Sequence, residues 1–166
     1  MRPIIAVLCF MATAATAATV QRPTTIMVSG HTLRITGARL TDLDCSLGSF
    51  QGAALIEYPI VGEPNDIEFI DRDPAQAVVA GPGCEVYNVV AVACDLTNVT
   101  AIQVRFADNC TNSLTMNNPG FPLVTSLKIV AGTANDWITI GHDVLPSLST
   151  VNVKLGSGDD QLNITE

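Results

Sequence analysis

Thr125-Ser126-Leu127-Lys128-Ile129-Val130-Ala131-Gly132-Thr133-Ala134-Asn135-Asp136-Trp137-Ile138-Thr139-Ile140 aligns with Ser149-Thr150-Val151-Asn152-Val153-Lys154-Leu155-Gly156-Ser157-Gly158-Asp159-Asp160-Gln161-Leu162-Asn163-Ile164 at a constant offset of 24 residues. Leu127/Val151, Ile129/Val153, Gly132/Gly156, Asp136/Asp160, Ile138/Leu162 and Ile140/Ile164 coincide, and Pro122 and Pro146 share the offset. A weaker earlier copy runs Ile102 to Phe106 and then Asn112 to Met116, and it fits with a one-residue slip. A repeat of this length with short alternating strands predicts stacked coils. Each coil supplies a Leu-x-Ile strand, a polar Gly-Asp turn and an Ile-x-Ile strand. One coil cannot bury its own inward residues, so the stack supplies the core.

Upstream of the repeat the pattern remains β. Thr25 to Val28 and Thr32 to Thr36 are alternating β-branched runs joined by the turn Ser29-Gly30-His31. Ala53–Tyr58, Ile67–Ile70, Ala77–Ala80 and Val86–Val92 are further strand candidates. Residues 38–52 and 59–66 read as loops, and the acid-rich stretch Glu63 to Asp73 reads as a solvated edge strand with its flanks. Trp137, at a turn-to-strand position, is assigned to the core. No apolar period of 3.6 follows the first twenty residues. The expected fold class is all-β: N-terminal hairpins or a small sheet running into a short parallel β-solenoid with coils of about 24 residues. The expected organisation is a signal peptide over 1–17, an N-terminal β region with a disulfide hairpin over 18–98, and β-solenoid repeats over 99–166.

The 166-residue chain is 48% hydrophobic and 14% charged, which excludes intrinsic disorder. Eight Lys and Arg against 16 Asp and Glu give a formal net charge of −8. That sign argues against nucleic acid and acidic partners and favours cations. Arg2, the apolar run Ile4 to Ala12 and the small-x-small site Ala15-Thr16-Ala17 read as a cleavable leader, so the protein is expected to be secreted. The apolar run is too short to span a bilayer, and no later stretch is long enough. With Cys9 removed in the leader, Cys45, Cys84, Cys94 and Cys110 remain, and an oxidising compartment pairs them. Three connectivities are possible. An alternating hairpin brings the ends of Cys84 to Cys94 together, which leaves Cys45 with Cys110. No Cys-x-x-Cys occurs and neither histidine lies near a cysteine, so the pattern is not that of zinc.

The turn carries the chemistry. Leu155 to Asn163 approximates the nonapeptide Gly-Gly-x-Gly-x-Asp-x-apolar-x through Gly156, Gly158, Asp160 and Leu162, and the copy before it keeps Gly132, Asp136 and Ile138. Glycines let the backbone curl so that carbonyls point into the gap between coils, and aspartates add hard anionic oxygens, the ligands calcium takes. The candidate metal residues are Gly132, Asn135, Asp136, Gly156, Gly158, Asp159 and Asp160. On these turns the chain resembles the secreted calcium-binding proteins with repeats-in-toxin (haemolysin-type) nonapeptides. The order of three further features fits: Ile26 to Gly37, then Gly81-Pro82-Gly83-Cys84 with Cys94, then Asn98 to Val104 leading into the repeats. The resemblance implies an extracellular β-roll with bound Ca2+. The chain departs from it in lacking tandem nine-residue repetition and in placing Ala134 and Cys110 where turn glycines belong.

Two alternatives stand beside the calcium module. One is an ion-free secreted structural or interaction solenoid of the adhesion or effector kind, with an extracellular protein or glycan partner unassigned. The other, more remote, is a truncated β-helix glycoside hydrolase, because Asn135-Asp136 and Asp159-Asp160 loosely resemble the paired acids of polygalacturonases. That family's downstream Gly-His-Gly and Arg-Ile-Lys elements do not occur, so no enzyme activity is expected.

Overall fold

A computed structural model describes residues 24–37, 53–57, 66–70, 78–88, 91–106, 111–117, 121, 123–141 and 145–165. The leader, Cys45, Cys110 and the loops read over 38–52 and 59–65 lie outside them. Every regular element described is a strand. In chain order these are β1 (Thr24–Ser29), β2 (Thr32–Thr36), β3 (Ala53–Glu57), β4 (Asp66–Ile70), β5 (Val78–Ala80), β6 (Cys84–Asn88), β7 (Ala91–Asp95), β8 (Ala101–Arg105), β9 (Ser113–Asn117), β10 (Ser126–Val130), β11 (Trp137–Gly141), β12 (Thr150–Lys154) and β13 (Gln161–Thr165).

They form two mixed sheets. One has the order β12-β10-β8-β2-β1-β5 and the other β13-β11-β9-β3-β4-β7-β6. The repeat read from the sequence is the parallel part of both. β10 and β12 pair in register with Leu127 opposite Val151, and β11 and β13 pair with Ile138 opposite Leu162. The earlier copy pairs as well, Leu127 with Ile102 and Ile138 with Leu114. Its slip is located: the offset is 25 residues where Thr125 meets Thr100 and 24 where Asp136 meets Asn112. The additional residue therefore falls between β8 and β9, outside the ladders.

The N-terminal strands are continuous with the repeats in both sheets. β2 pairs in parallel with β8, and β3 with β9. The tip of the β1–β2 hairpin is tied to the first repeat, because the His31 carbonyl accepts the N–H groups of Thr100 and Ala101. The Thr100 carbonyl repeats this toward Thr125 and Ser126, and the Thr125 carbonyl toward Ser149 and Thr150. The hairpin thus serves as a preceding layer for the repeats.

Period-2 alternation then fills the space between the sheets. Ile26, Leu33, Ile35, Ile102, Val104, Leu127 and Ile129 come from one sheet and Leu114, Met116, Ile138 and Ile140 from the other, all buried. Each such side chain contributes about 1.5–3 kcal/mol by leaving water. The last repeat lacks this cover. Val151, Leu162 and Ile164 are 48%, 37% and 62% exposed, whereas their in-register partners Leu127, Ile138 and Ile140 are 0%, 0% and 4% exposed.

Three local readings change. Val86–Val92 is two strands of an antiparallel hairpin, β6 and β7, and not one strand. Cys84 and Cys94 face each other across it with Cα atoms 4.0 Å apart and sulfurs at bonding distance. β4 is not an edge strand: it pairs with both β3 and β7. Trp137 is 40% exposed, because its register with Ser113 and Gln161 sets it on the face opposite to Ile138 and Ile140.

Candidate functional site

Where each repeat turns from one sheet to the other, three polar residues stack at 24-residue intervals: Asn112, Asp136 and Asp160. Asn112 and Asp136 are completely buried. Buried polar groups cost free energy unless they are hydrogen-bonded, and here the partners come from the adjacent repeat and from the same turn. Oδ1 of Asp136 accepts the backbone N–H of Asn112 at 2.9 Å and its side-chain amide Nδ2 at 2.8 Å. Oδ2 accepts the Gly132 N–H at 3.3 Å. The Asp136 N–H in turn donates to Oδ1 of Asp160 at 2.9 Å.

The backbone runs the same stack in the other direction. Trp137 N–H donates to the Asn112 carbonyl and Gln161 N–H to the Asp136 carbonyl, both at 2.8 Å. Each rung is therefore a reciprocal pair: the earlier repeat's N–H meets the later carboxylate, and the later N–H meets the earlier carbonyl. A second line runs outside it, with Asp159 N–H donating to Oδ1 of Asn135 at 2.8 Å.

Two glycines set the spacing of the turns. Gly156 has φ 91° and Gly158 φ 138°, backbone that L side chains rarely adopt. A Cβ on Gly156 would lie 1.8 Å from the Gly132 carbonyl oxygen, and one on Gly158 2.6 Å from that of Ala134. The turns stack backbone on backbone.

Burial pushes the Asp136 carboxyl above its ordinary value of 3.8; the bonds from Asn112 and Gly132 oppose that shift, and the charge of Asp160 reinforces it. A carboxyl raised in the folded state holds its proton more tightly there than in the unfolded chain. Its contribution to stability is fully present below the unfolded value and is lost as pH rises through the folded one. Wild type is accordingly expected to lose stability relative to Asp136→Asn as pH rises through the acid range above the carboxyl's ordinary value of 3.8. Melting temperatures of the two proteins across that range check this. A gap that moves in favour of wild type with rising pH would mean that the three N–H bonds outweigh burial.

The turn brings together all of Gly132, Asn135, Asp136, Gly156, Gly158, Asp159 and Asp160. It directs both oxygens of Asp136 to N–H donors, and it leaves Asp159 exposed and Asp160 half-buried. Among the described residues no group of three or more His, Cys, Asp or Glu is gathered as a metal cluster. Asn112 is the member that sequence reasoning left unassigned. The signal was its place one period before Asp136, with an amide where the later copies carry a carboxylate. Asp136 has no surface from which to protonate a glycosidic oxygen.

Comparison with protein-family models, with curated proteins and with solved structures finds no match to this chain.

Proposed function

We propose that this chain is an exported β-solenoid whose turns are joined by a hydrogen-bonded side-chain ladder, and that it works as an ion-free structural or interaction module. The observation that carries the reading is the Asp136 carboxylate: fully buried, with three N–H donors on its two oxygens. A carboxylate so engaged has three of its acceptor positions already taken and few lone pairs left for a cation. The parallel registers at 24 residues and the close glycine contacts support the solenoid. The leader pattern and the cysteine pair at disulfide distance support export.

Calcium between the turns is the second reading, favoured by the repulsion between Asp136 and Asp160 one repeat apart. A thermal titration separates the two. Calcium at a hundredfold excess over its dissociation constant would add about 2.7 kcal/mol, a rise of several degrees for a domain of this size. The ladder reading expects melting in about 10 mM calcium to lie within about 1 °C of that in EDTA. A rise of several degrees that is absent from Asp136→Asn/Asp160→Asn would overturn it in favour of the ion.

A further inference from the structure

The outward face of the six-stranded sheet has the opposite charge to the rest of the chain. Arg34 on β2, Arg105 on β8, Lys128 on β10 and Lys154 on β12 all stand on it, each exposed beside inward apolar neighbours. These are half of the eight Lys and Arg in a chain of net charge −8. The strand registers fix their arrangement. Arg34, Gln103, Lys128 and Asn152 form one row across the sheet, and Thr36, Arg105, Val130 and Lys154 the next. Four successive strands therefore carry one cation each, on alternate rows, stepping across the sheet at about 4.8 Å per strand. No outward position on any strand of this sheet is acidic or aromatic. Thr36, Gln103, Ser126, Thr150 and Asn152 fill the places between with hydroxyls and amides. Arg34, Gln103, Arg105 and Lys128 line a shallow recess of about 350 Å³ in the middle of the row.

We infer that this face binds a linear carboxylated polysaccharide lying across the strands, its acidic sugars meeting Arg34, Lys128 and Lys154. The ligand must be extended, because the cations run from strand to strand across the sheet on two adjacent rows, and anionic, because they are cations. Its charges must be sparse. Duplex DNA presents one charge per about 1.7 Å, far denser than one cation per strand. Single-stranded nucleic acid relies on aromatic side chains for base stacking, and this face has none. A polyuronate chain carries one carboxylate per sugar, at a repeat close to the strand spacing, with hydroxyls between to meet the threonines and amides. The overall charge argued against acidic partners; the sheet reverses that sign locally. The inference names a ligand for the interaction module proposed above. It stands on one sheet face and not on the turn ladder, so the calcium titration and the binding measurement fail separately.

The test is titration of the full protein with an oligogalacturonate in EDTA at low salt, with a neutral maltooligosaccharide and oligo-dT in parallel. The charge-removing variant is Arg34→Gln/Lys128→Gln/Lys154→Gln. Arg105, which is engaged within the protein, is left intact. The three substitutions are at exposed positions, and circular dichroism confirms that the β signature is kept. Should the triple variant not fold, Lys128→Gln and Arg34→Gln are titrated singly. The expected result is binding of the uronate oligomer alone, weakened about tenfold in the triple variant and weakened also by added salt. Absence of uronate binding, affinity unchanged in the variants, or equal affinity for oligo-dT would each overturn the inference.

Discussion

Asp136→Ala is expected to destabilise the protein by about 3–5 kcal/mol in the presence of EDTA. The substitution leaves the Asn112 N–H, the Asn112 side-chain amide and the Gly132 N–H without their acceptor. Each buried donor without a partner costs about 1–3 kcal/mol, and the third bond, at 3.3 Å, is the weakest. Relief of the buried charge and of its repulsion by Asp160 offsets part of the sum. For a domain near this length the loss lowers the melting temperature by roughly 10 °C. Asp160→Ala is the internal comparison: it removes the acceptor of the Asp136 N–H at a half-buried place, and should cost about 1 kcal/mol. EDTA makes the experiment discriminating. A calcium-held turn has nothing to lose when an aspartate is removed without calcium, and it would gain from reduced repulsion. Equal melting of wild type and Asp136→Ala in EDTA would remove the ladder as the element joining the repeats.

Gly156→Ala should unseat the last repeat. A non-glycine residue at φ 91° is itself costly, by about 1–2 kcal/mol in left-handed backbone. The larger effect is steric, since the new Cβ would fall 1.8 Å from the Gly132 carbonyl oxygen, an atom of fixed backbone. The repeats must part at that point. The cost is bounded by what the last repeat gains from its neighbour, because in a stacked array each unit contacts only the next. Hydrogen exchange is the suitable measurement: amides of β12 and β13 should exchange about a hundredfold faster, equivalent to roughly 3 kcal/mol, while β8 and β9 keep their protection. Gly30→Ala serves as the control. Its φ of 58° is also positive, but a Cβ there meets nothing within 4 Å, so it should cost only about 1 kcal/mol. Equal effects at the two glycines would show that backbone conformation alone, and not contact between repeats, sets the requirement at Gly156.

The strands were legible wherever alternation was clean and the period repeated. Leu127/Val151 and Ile138/Leu162 were aligned by sequence and are ladder partners in space. The one-residue slip was visible too, since Ile102 to Phe106 keeps its alternation on one side of the additional residue and Asn112 to Met116 on the other. Cys84 and Cys94 were within reach because a hairpin of that length closes on itself. The neighbours of the N-terminal strands were not legible. Nothing in Thr32 to Thr36 announces that it lies in parallel beside Ala101 to Arg105, because pairing across such a distance leaves no local pattern. The same holds for β4: its acids suggested an edge, and only the pairing with β3 and β7 sets it inside a sheet. At the turn, the sequence named the residues but not the hydrogen bonds they make. A Gly-Asp pattern reads as oxygen ligands, and an aspartate that accepts N–H groups from the repeat before it has the same spelling. The linear pattern of the turn does not reveal that Asp136 is buried.

The constant register also makes the molecule sensitive to the grammar of its own gene. Gain or loss of one residue inside a strand turns every side chain beyond it to the opposite face, exposing the Leu and Ile rows and burying Lys128 or Arg34. Gain or loss of one whole 24-residue unit changes no face and keeps the Asn–Asp–Asp column aligned. The additional residue between β8 and β9 shows where single steps are tolerated: in a connection, where neither sheet counts it. Heritable changes of length in this fold are thus quantised, free in the connections and otherwise confined to complete repeats. The six-stranded face would inherit the same quantum, because each added unit supplies one more outward strand and one more place for a cation.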